Sequence, residues 1–237
     1  MSDAEIKRMR FLVDCMLGRM KSWLRLFGYD TIYASDEADD GELLEMAKKE
    51  DRIVLSRDRE LIERCRQRGI DALRIHSVNT AEQLTEVMLG VGIEPCTRVL
   101  RCTLCNELIK RLNKDDVKKL KEEEGYEYVP ASSLGDLEFW QCTGCGHVFW
   151  EGGHWINIEK MVKLLRRRCM DAERLKKKLE HWIEHSEGHI ESYEKAVIEA
   201  DALGLSDLKT DLEHAVDAME EATEWLKSAH RRLKLGQ

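Results

Sequence analysis

The stretch "FLVDCMLGRM", residues 11–20, passes from one kind of secondary structure to another within ten residues. Three apolar residues open it, Asp14 follows them, and Leu17 and Met20 then begin a helical spacing of apolar residues. A strand that leads directly into a helix is the building unit of a parallel sheet wrapped by helices. A carboxylate at the junction can cap the helix, bind a metal ion, or do both.

Further short apolar segments repeat this unit along residues 1–95. Together with "FLVD" (11–14), they are "TIYA" (31–34), "RIVLS" (52–56) and "ALRIH" (72–76). They are rich in Val, Ile and Leu, as the buried strands of parallel sheets are. Helical patterns separate them, and Gly28 is a fitting end for the first helix. Residues 1–95 therefore predict a domain of the α/β class.

The composition indicates a soluble globular protein. The chain has 237 residues, of which 43% are hydrophobic and 35% charged, and a net charge of −8. Residues 1–10 lack the apolar core of a signal peptide, and no apolar run is long enough to span a membrane, so we expect a cytoplasmic protein with no membrane partner. The negative charge argues against a protein that simply coats nucleic acid, but not against a local basic groove.

Two segments of different character follow the predicted α/β domain. Residues 96–156 are richer in Gly, Cys and aromatic residues and form a module too small to be stable without a staple. Residues 157–237 read as helix, and "GLS" at 204–206 predicts a turn between two antiparallel arms. The longer first arm either reaches back to the middle module or breaks near Gly188. Apolar residues at heptad spacing in the second arm form either the interior of the hairpin or the interface of a homodimer.

Two cysteine pairs predict a zinc site in the middle module. "CTLC" (102–105) and "CTGC" (142–145) each place two cysteines with two residues between them. Such a spacing lets both thiolates reach one ion, and four thiolates complete a tetrahedral set with no open position. We therefore expect a structural Zn²⁺ ligated by Cys102, Cys105, Cys142 and Cys145. Redox-active cysteines are the alternative.

Aspartates stand at or after the ends of three predicted strands. Asp14 ends the first, Asp36, Asp39 and Asp40 follow the second, and Asp58 follows the third. The carboxyl ends of parallel strands meet at one edge of a sheet, where ligand sites form, and clustered carboxylates favour Mg²⁺ or Mn²⁺. Aspartate is also a preferred helix N-cap, so these residues are also interpreted as caps. The pattern alone leaves both interpretations open.

Four segments together resemble the Mut-seven C-terminal RNase family. They are "DCMLGRMKSWLRLFGYDT", "DDGELLEMAKKEDRIVLSRDREL", "RCTLCNEL" and "FWQCTGCGHVFWEGGHW". The resemblance covers residues 10–158 and implies a PIN-like nuclease domain followed by a zinc ribbon. It implies that Asp14, Asp40 and Asp58 bind the catalytic Mg²⁺ or Mn²⁺, with Asp36 and Asp39 in reserve. Ser56 stands where the family often has Thr, which retains the hydroxyl group.

The resemblance also bears on basic and aromatic residues. Arg19 and Arg57 match basic positions of the same motifs, and either could hold a phosphate by paired hydrogen bonds. Lys21 replaces a residue that is usually small and adds positive charge near the site. His154 and Trp155 match the segment after the second cysteine pair. The implied function is a metal-dependent ribonuclease whose zinc ribbon guides RNA. The alternative is a non-catalytic RNA- or ribosome-binding adaptor.

Two basic tracts are further candidates for contacts with RNA. They are "RDRELIERCRQRG" (57–69) and "KMVKLLRRRCMDAERLKKK" (160–178). The first tract is expected to place its arginines on one helical face beside the carboxylates. Acidic residues interrupt the second tract. Both tracts are also interpreted as solvated helix surfaces. The candidate residues are Arg57, Arg64, Arg68, Lys163, Arg166 and Arg167.

Two other groups of side chains admit a functional and a structural interpretation. Trp140, Phe149, Trp150 and Trp155 surround the ribbon, where they either fill its core or stack on bases. His181, His185 and His189 fall at i, i+4 and i+8, which is a metal-binding spacing on a helix. A helix break at Gly188 would separate them, and a polar surface is the simpler interpretation.

Overall fold

The computed structural model describes residues 9–34, 39–95, 101–130 and 137–235. The chain divides into two compact units, Met1–Arg166 and Arg167–Gln237. The first unit contains two separate sheets, and the second is helical.

The first sheet has four parallel strands in the order β2-β1-β3-β4. The strands are β1 (Arg10–Val13), β2 (Asp30–Tyr33), β3 (Ile53–Ser56) and β4 (Ala72–Arg74). The helices that alternate with them are α1 (Gly18–Leu26), α2 (Asp40–Lys49), α3 (Arg59–Gln67) and α4 (Thr80–Val91). A 3-10 turn over Cys15–Leu17 joins β1 to α1, and Gly28 follows α1 with the left-handed φ of 95° that favours glycine.

The central strand β1 is buried on both faces. Phe11, Leu12 and Val13 are 0% exposed, and each buried side chain of this size contributes about 1.5–3 kcal/mol to folding. Alternate residues point to opposite faces. Leu12 belongs to the core formed with α2 and α3, whereas Phe11 packs on the edge of the Tyr29 ring at 5.6 Å between centroids.

The second sheet has three antiparallel strands in the order β5-β6-β7. They are β5 (Ile109–Leu112), β6 (Phe139–Cys142) and β7 (Val148–Trp150). Helix α5 (Lys114–Lys121) lies between β5 and β6 and begins with a capping box of Asn113 and Asp116. The core of this module is small and consists of Leu112, Val117, Val129, Phe139 and Val148. A core of this size needs a structural metal ion or a disulfide to be stable.

The C-terminal helices are α6 (Gly153–Ala202) and α7 (Ser206–Leu235). Within the second unit they form a hairpin, in which Glu180 Oε1 contacts His230 Nε2 at 3.0 Å and Glu187 Oε1 contacts Lys227 Nζ at 3.0 Å. Gly204 occupies the turn with a φ of 69°. Helix α6 continues through Gly188, so of the two alternatives for the first arm, the break at Gly188 is wrong. One glycine costs a helix only about 1 kcal/mol, which a helix of 50 residues tolerates.

The heptad pattern of α7 is only partly buried. Leu208 and Leu205, which directly precedes the helix, belong to the pattern but are 48% and 47% exposed, whereas Thr223 is 2% exposed. The Thr223 hydroxyl donates to the Met219 carbonyl oxygen at 2.7 Å, which satisfies it inside the helix. A homodimer through these helices stays a prediction.

The predicted fold class is confirmed: a parallel sheet with helices, an antiparallel sheet with a cysteine cluster, and a C-terminal helical hairpin. The domain boundaries predicted after residues 95 and 156 stay predictions. No helix in the described ranges is both long enough and apolar enough to cross a membrane.

Candidate nuclease site and zinc ribbon

The order of the parallel strands creates a crevice at the carboxyl end of β1. The chain leaves β1 towards β2 on one side and then crosses to β3 on the other. The two connections diverge, and open parallel sheets bind ligands where this happens. Asp14 directly follows β1, and Ser56 is the last residue of β3. The sequence thus brings these two polar residues to one point from 42 positions apart.

A buried hydrogen bond joins Asp14 to Ser56. The Ser56 Oγ donates to Asp14 Oδ2 at 2.6 Å, and the two residues are 0% and 9% exposed. The Asp14 side chain makes no capping hydrogen bond to the turn that follows it. The interpretation of Asp14 as a side-chain helix cap is therefore wrong, because Ser56 fixes this carboxylate instead.

Ser56 also connects Asp14 to Asp58. The Ser56 Oγ accepts the backbone N–H of Asp58 at 2.9 Å. Asp58 is exposed, and its Oδ1 accepts the backbone N–H of Glu60 at 2.8 Å as the N-cap of α3. The cap predicted for Asp58 is confirmed. One accepted hydrogen bond uses only part of the capacity of a carboxylate, so the Asp58 carboxylate can also bind a ligand.

The third carboxylate group stands at the start of α2. Asp39 is the N-cap, and its Oδ2 accepts the backbone N–H of Gly41 at 3.1 Å. Asp40 is the first residue of the helix, but its side chain is not described. Asp36 lies outside the described residues. The metal-ligand roles of Asp36, Asp39 and Asp40 stay predictions.

An open pocket of about 430 Å³ adjoins Asp58 at this edge of the sheet. Its lining consists of Met16, Arg57, Asp58, Arg59, Arg74, Ile75 and His76. The Arg74 Nε is buried and is the one buried side-chain polar atom in the described ranges that lacks a hydrogen-bond partner. Buried polar atoms are normally paired, so an unpaired guanidinium nitrogen beside a pocket suggests an anionic ligand.

Arg74 and His76 line this pocket, and the sequence did not mark either as a site candidate. Arg74 is the last residue of β4 and His76 lies two residues after it, at the same edge of the sheet. Glu86 holds the loop after β4, because its carboxylate accepts the backbone N–H groups of His76 and Ser77 at 2.7 and 2.9 Å. A basic residue at the end of a short strand is the available sequence signal, and it is a weak one.

The predicted basic residues are spread over the first unit. Arg19 is exposed on α1, and the Lys21 Nζ lies 4.5 Å from the centre of the Tyr33 ring. Burial, and next the charge of Arg25, lower the pKa of Lys21. Arg57 lines the pocket.

Arg64 and Arg68, the later arginines of the tract at residues 57–69, do not line this pocket. Arg68 follows the last residue of α3, about 13 Å along the helix axis from its start, and pairs with Glu45 at 3.6 Å. Arg64 is half-buried in the second half of α3. The expectation that they lie beside the carboxylates is therefore wrong for Arg68. Contacts of either residue with RNA stay predictions.

The basic tract of α6 is partly paired within the chain. Lys163 lies 3.9 Å from Glu159, and Arg166 Nη2 donates to the Pro95 carbonyl oxygen at 3.4 Å. In the second unit Arg167 lies 3.8 Å from Asp171. These exposed pairs are weak and leave the cations available to a stronger anion.

The four predicted zinc ligands form one cluster. The sulfur atoms of Cys102, Cys105, Cys142 and Cys145 all lie within 4.8 Å of one another. Cys102 Sγ is 3.7 Å from Cys145 Sγ, and Cys105 Sγ is 3.3 Å from Cys142 Sγ. Zinc–sulfur bonds of about 2.3 Å in a tetrahedron separate the sulfurs by about 3.8 Å. The cluster therefore fits a structural Zn²⁺.

The local environment of the thiols differs from one to the next. Burial raises the pKa of Cys102 to about 12, whereas a hydrogen bond from the backbone of Glu107 lowers the pKa of Cys105 to about 7. The residues after the two cysteine pairs, Asn106 and Gly146, take left-handed φ values of 73° and 74°. This shared turn directs both pairs towards one ion.

The first cysteine pair is docked on the edge of the parallel sheet. Arg25 is 6% exposed, and its Nη1 donates to the carbonyl oxygens of Thr103 and Leu104 at 3.0 and 2.8 Å. Its Nε donates to the Thr31 carbonyl oxygen of β2 at 2.9 Å. Asn106 Oδ1 accepts the Thr31 N–H at 3.0 Å, so it pairs the otherwise open edge of β2.

Asp30 completes this docking. Its Oδ1 accepts hydrogen bonds from Arg52 Nη1 at 2.9 Å and from Asn106 Nδ2 at 2.8 Å. Sequence reasoning missed Arg25, Asp30 and Asn106. The one usable signal was a charged residue, Arg25, within an otherwise apolar helical face.

The aromatic residues of the ribbon border a second pocket, of about 310 Å³. Trp140 and Trp155 stack with centroids 6.0 Å apart at 9°, and Trp150 meets His154 edge-on at 6.2 Å. Trp150 also packs against the ribbon core. Core filling accounts for part of this cluster, and base stacking stays a prediction.

Comparison with protein families gives two matches. The family model described as the Mut7-C RNAse domain matches residues 9–162, which contain both sheets and the cysteine cluster. A domain of unknown function, DUF8180, matches residues 175–233 in the hairpin. Neither the curated proteins nor the solved structures yielded a match.

Proposed function

Because the chain belongs to the Mut7-C RNase domain family, whose model covers residues 9–162, we propose that it is a metal-dependent ribonuclease that hydrolyses RNA phosphodiester bonds. The reaction takes place in the crevice between the carboxyl ends of β1 and β3. The observation that carries this proposal is the hydrogen-bonded series Asp14–Ser56–Asp58 at that crevice. Within the described residues no salt bridge joins Asp14 or Asp58 to a cation of the chain, so an ion pair does not account for this series.

The carboxylates of the crevice suit a hard divalent cation. Asp14 and Asp58 would hold Mg²⁺ or Mn²⁺, with Asp40 as a third ligand. Such an ion, when bound, lowers the pKa of a water molecule and offsets charge on the leaving oxygen. Ser56 keeps the Asp14 carboxylate in one orientation by donating to Oδ2, so the second oxygen can serve the cation.

Arginines beside the crevice would bind the substrate's phosphate. Arg57 and Arg74 line the pocket next to Asp58, and a guanidinium matches a phosphate with two parallel hydrogen bonds. The unpaired Nε of Arg74 would gain a partner in that way. Arg19 is an exposed cation of α1 that can contact a neighbouring phosphate.

The zinc ribbon would extend the RNA-binding surface. Its Zn²⁺ would be structural, and the contacts would come from exposed and half-buried side chains at the start of α6. Trp155 offers a ring for stacking, His154 lies next to it, and Lys163 and Arg166 lie on the following turns. Lys21 and Arg167 are further candidates for phosphate contacts. Arg64 and Arg68 are candidates as well, at a greater distance from the crevice.

Cleavage of end-labelled RNA tests the proposal. Zinc-loaded protein is incubated with single-stranded or structured RNA in Mg²⁺, in Mn²⁺, or after brief exposure to EDTA. We expect metal-dependent cleavage that Asp14→Asn lowers at least about a thousandfold, because a lost metal ligand removes several kcal/mol of transition-state stabilisation. The matched control is Asp51→Asn, an exposed aspartate in the turn before β3, at the other end of that strand.

Two outcomes would contradict the proposal. Cleavage that resists both EDTA and Asp14→Asn would place the chemistry elsewhere or in a contaminant. RNA binding without cleavage in either metal would favour the alternative, a non-catalytic RNA- or ribosome-binding adaptor.

A further inference from the structure

We propose that His181, His185 and His189 on helix α6 form a second metal site, which binds one first-row transition-metal ion such as Zn²⁺ through imidazole nitrogens. The site lies in the second compact unit, within the matched domain of unknown function. It shares no residue with the cysteine cluster or the carboxylate crevice, so the inference does not depend on the ribonuclease activity.

The backbone holds the three histidines in one row. Helix α6 is continuous from Gly153 to Ala202, so the glycine between His185 and His189 does not interrupt it. Residues four apart on a helix are neighbours on its surface. The ring centroids of His181 and His185 are 5.6 Å apart, and those of His185 and His189 are 4.9 Å apart.

These distances suit shared coordination of one ion. Two nitrogens at about 2.0–2.1 Å from Zn²⁺ in a tetrahedron are about 3.3 Å apart, which adjacent imidazoles reach by small rotations of their side chains. His185 is a member of both adjacent pairs. It can therefore bind together with either neighbour, and its loss removes both pairs at once.

The three imidazoles are accessible for binding. All three are exposed, and no hydrogen bond or ion pair engages them within the part of the chain that the structure describes. His230 in the same unit differs, because its Nε2 lies 3.0 Å from Glu180 Oε1 and its side chain is 15% exposed. His230 on α7 is thus paired with Glu180 on α6 and stabilises the hairpin, whereas His181, His185 and His189 face solvent.

The charge around the row favours a cation. Residues 180–224 contain fourteen acidic and two basic residues. Glu184 lies in the row between His181 and His185, and the three histidines, Glu184, Gly188 and Ser192 border an open depression of about 510 Å³. The carboxylate of Glu184 or water molecules can complete the coordination of an ion there.

The lack of a side chain at Gly188 leaves space beside the row. A Cβ added at this position would meet no atom within 4 Å, so packing does not require the glycine. Glycine costs an exposed helix about 1 kcal/mol relative to alanine, yet the helix carries it between two of the three histidines. The open space can hold a metal ion with its water ligands.

The donor set determines which metals bind. Neutral imidazole suits Zn²⁺, Ni²⁺ and Cu²⁺, whereas Mg²⁺ and Mn²⁺ prefer oxygen ligands. The row is therefore selective against the ions that the carboxylate crevice would take. Unlike the cysteine cluster, it offers two imidazole ligands at a time on a single helix and leaves positions open, so it contributes little to folding.

Calorimetric titration of Zn²⁺ into the tag-free full chain tests the site. The ribbon is first loaded with zinc, and excess Mg²⁺ is present to occupy the carboxylate crevice. We expect the wild type to bind one further equivalent of Zn²⁺. His185→Gln should weaken that binding at least about tenfold, because the loss of a supporting residue alone costs a metal site ten- to a hundredfold. Substitution of an exposed histidine should leave the helicity unchanged by circular dichroism.

The matched control is His214→Gln, which removes an exposed histidine of α7 that has no histidine one turn away. It should bind Zn²⁺ as the wild type does. The proposal is overturned if the wild type takes up no Zn²⁺ beyond the ribbon. It is equally overturned if His185→Gln binds as tightly as the wild type, since the acidic residues of the hairpin would then account for the uptake.

Discussion

The cysteine cluster and the carboxylate crevice lie in the same compact unit but differ in their construction. The cluster draws four soft ligands from two short turns, and all four sulfurs lie within 4.8 Å of one another. The crevice would draw hard oxygen ligands from the ends of separate strands, and its Asp58 is exposed while Asp14 is buried. The four sulfurs of the cluster would enclose one ion, whereas the crevice opens into a pocket that Arg57 and Arg74 line.

This difference separates a structural from a chemical role. A complete tetrahedral set excludes substrate and supplies folding energy. An incomplete set of carboxylates leaves positions for water and phosphate, which hydrolysis requires. Loss of a ligand from the cluster should therefore lower the stability of the protein, whereas loss of a ligand from the crevice should lower its activity.

Removal of one cysteine should have the largest effect. Cys142→Ser should abolish stoichiometric zinc and unfold the ribbon, because zinc contributes on the order of 10 kcal/mol or more to such modules. Zinc content and thermal unfolding measure this. Cys169→Ser, which changes a half-buried cysteine of α6 outside the cluster, should leave both unchanged. Retention of one zinc per chain by Cys142→Ser would contradict the closed site.

Removal of the docking carboxylate should have the next largest effect. Asp30→Ala leaves Arg52 and Asn106 without their shared acceptor and should lower the free energy of unfolding by about 1.5–3 kcal/mol. Chemical denaturation at neutral pH measures the loss. An unchanged midpoint would show that the ribbon does not depend on this contact.

The contribution of Asp30 should also depend on pH. Burial is the largest single influence on its pKa and raises it, but hydrogen bonds from Arg52 and Asn106 and the charges of Arg52 and Arg101 together hold the pKa below its ordinary value. The stabilisation is therefore present above about pH 4 and is lost as the pH falls through the lowered pKa. The difference in stability between wild type and Asp30→Ala should shrink in acid.

Substitution of Ser56 should separate hydrogen bonding from size. Ser56→Ala removes the donor to Asp14 and should destabilise the protein by about 1–3 kcal/mol while slowing RNA cleavage, because the carboxylate loses its fixed orientation. Ser56→Thr restores the hydroxyl and should restore the rate. A Ser56→Ala enzyme with the wild-type rate would show that the hydrogen bond serves stability alone.

The two arginine positions should differ in substrate binding. Arg74→Gln should raise the KM for RNA roughly tenfold with little change in stability, since one guanidinium–phosphate contact contributes about 1.5–3 kcal/mol at most. Arg68→Gln, at the far end of α3, should raise the KM by a smaller factor, because Arg68 lies farther from the crevice. Equal effects of the two substitutions would mean that the pocket beside Asp58 does not receive the phosphate.

The sequence predicts local features well. Each predicted strand overlaps an observed one, and the four cysteines converge as their spacing requires. The sequence does not predict the contacts between residues that are distant along the chain. Arg74 reaches the pocket from β4, and the Asp14 side chain is held by Ser56 from β3 rather than by the turn next to it. Local rules left the interpretation of Asp14 as a cap open because they contain no information about its neighbours in space.

The binding of Mn²⁺ to the zinc-loaded protein tests the distinction between the two sites most directly. Electron paramagnetic resonance follows the loss of free Mn²⁺ signal on titration of wild type and Asp14→Asn. We expect the wild type to bind Mn²⁺ without releasing zinc, Mg²⁺ to compete, and Asp14→Asn to lose the binding while it keeps its zinc. Equal Mn²⁺ binding by both proteins, or no binding by wild type, would contradict a hard-metal site at the carboxyl end of β1.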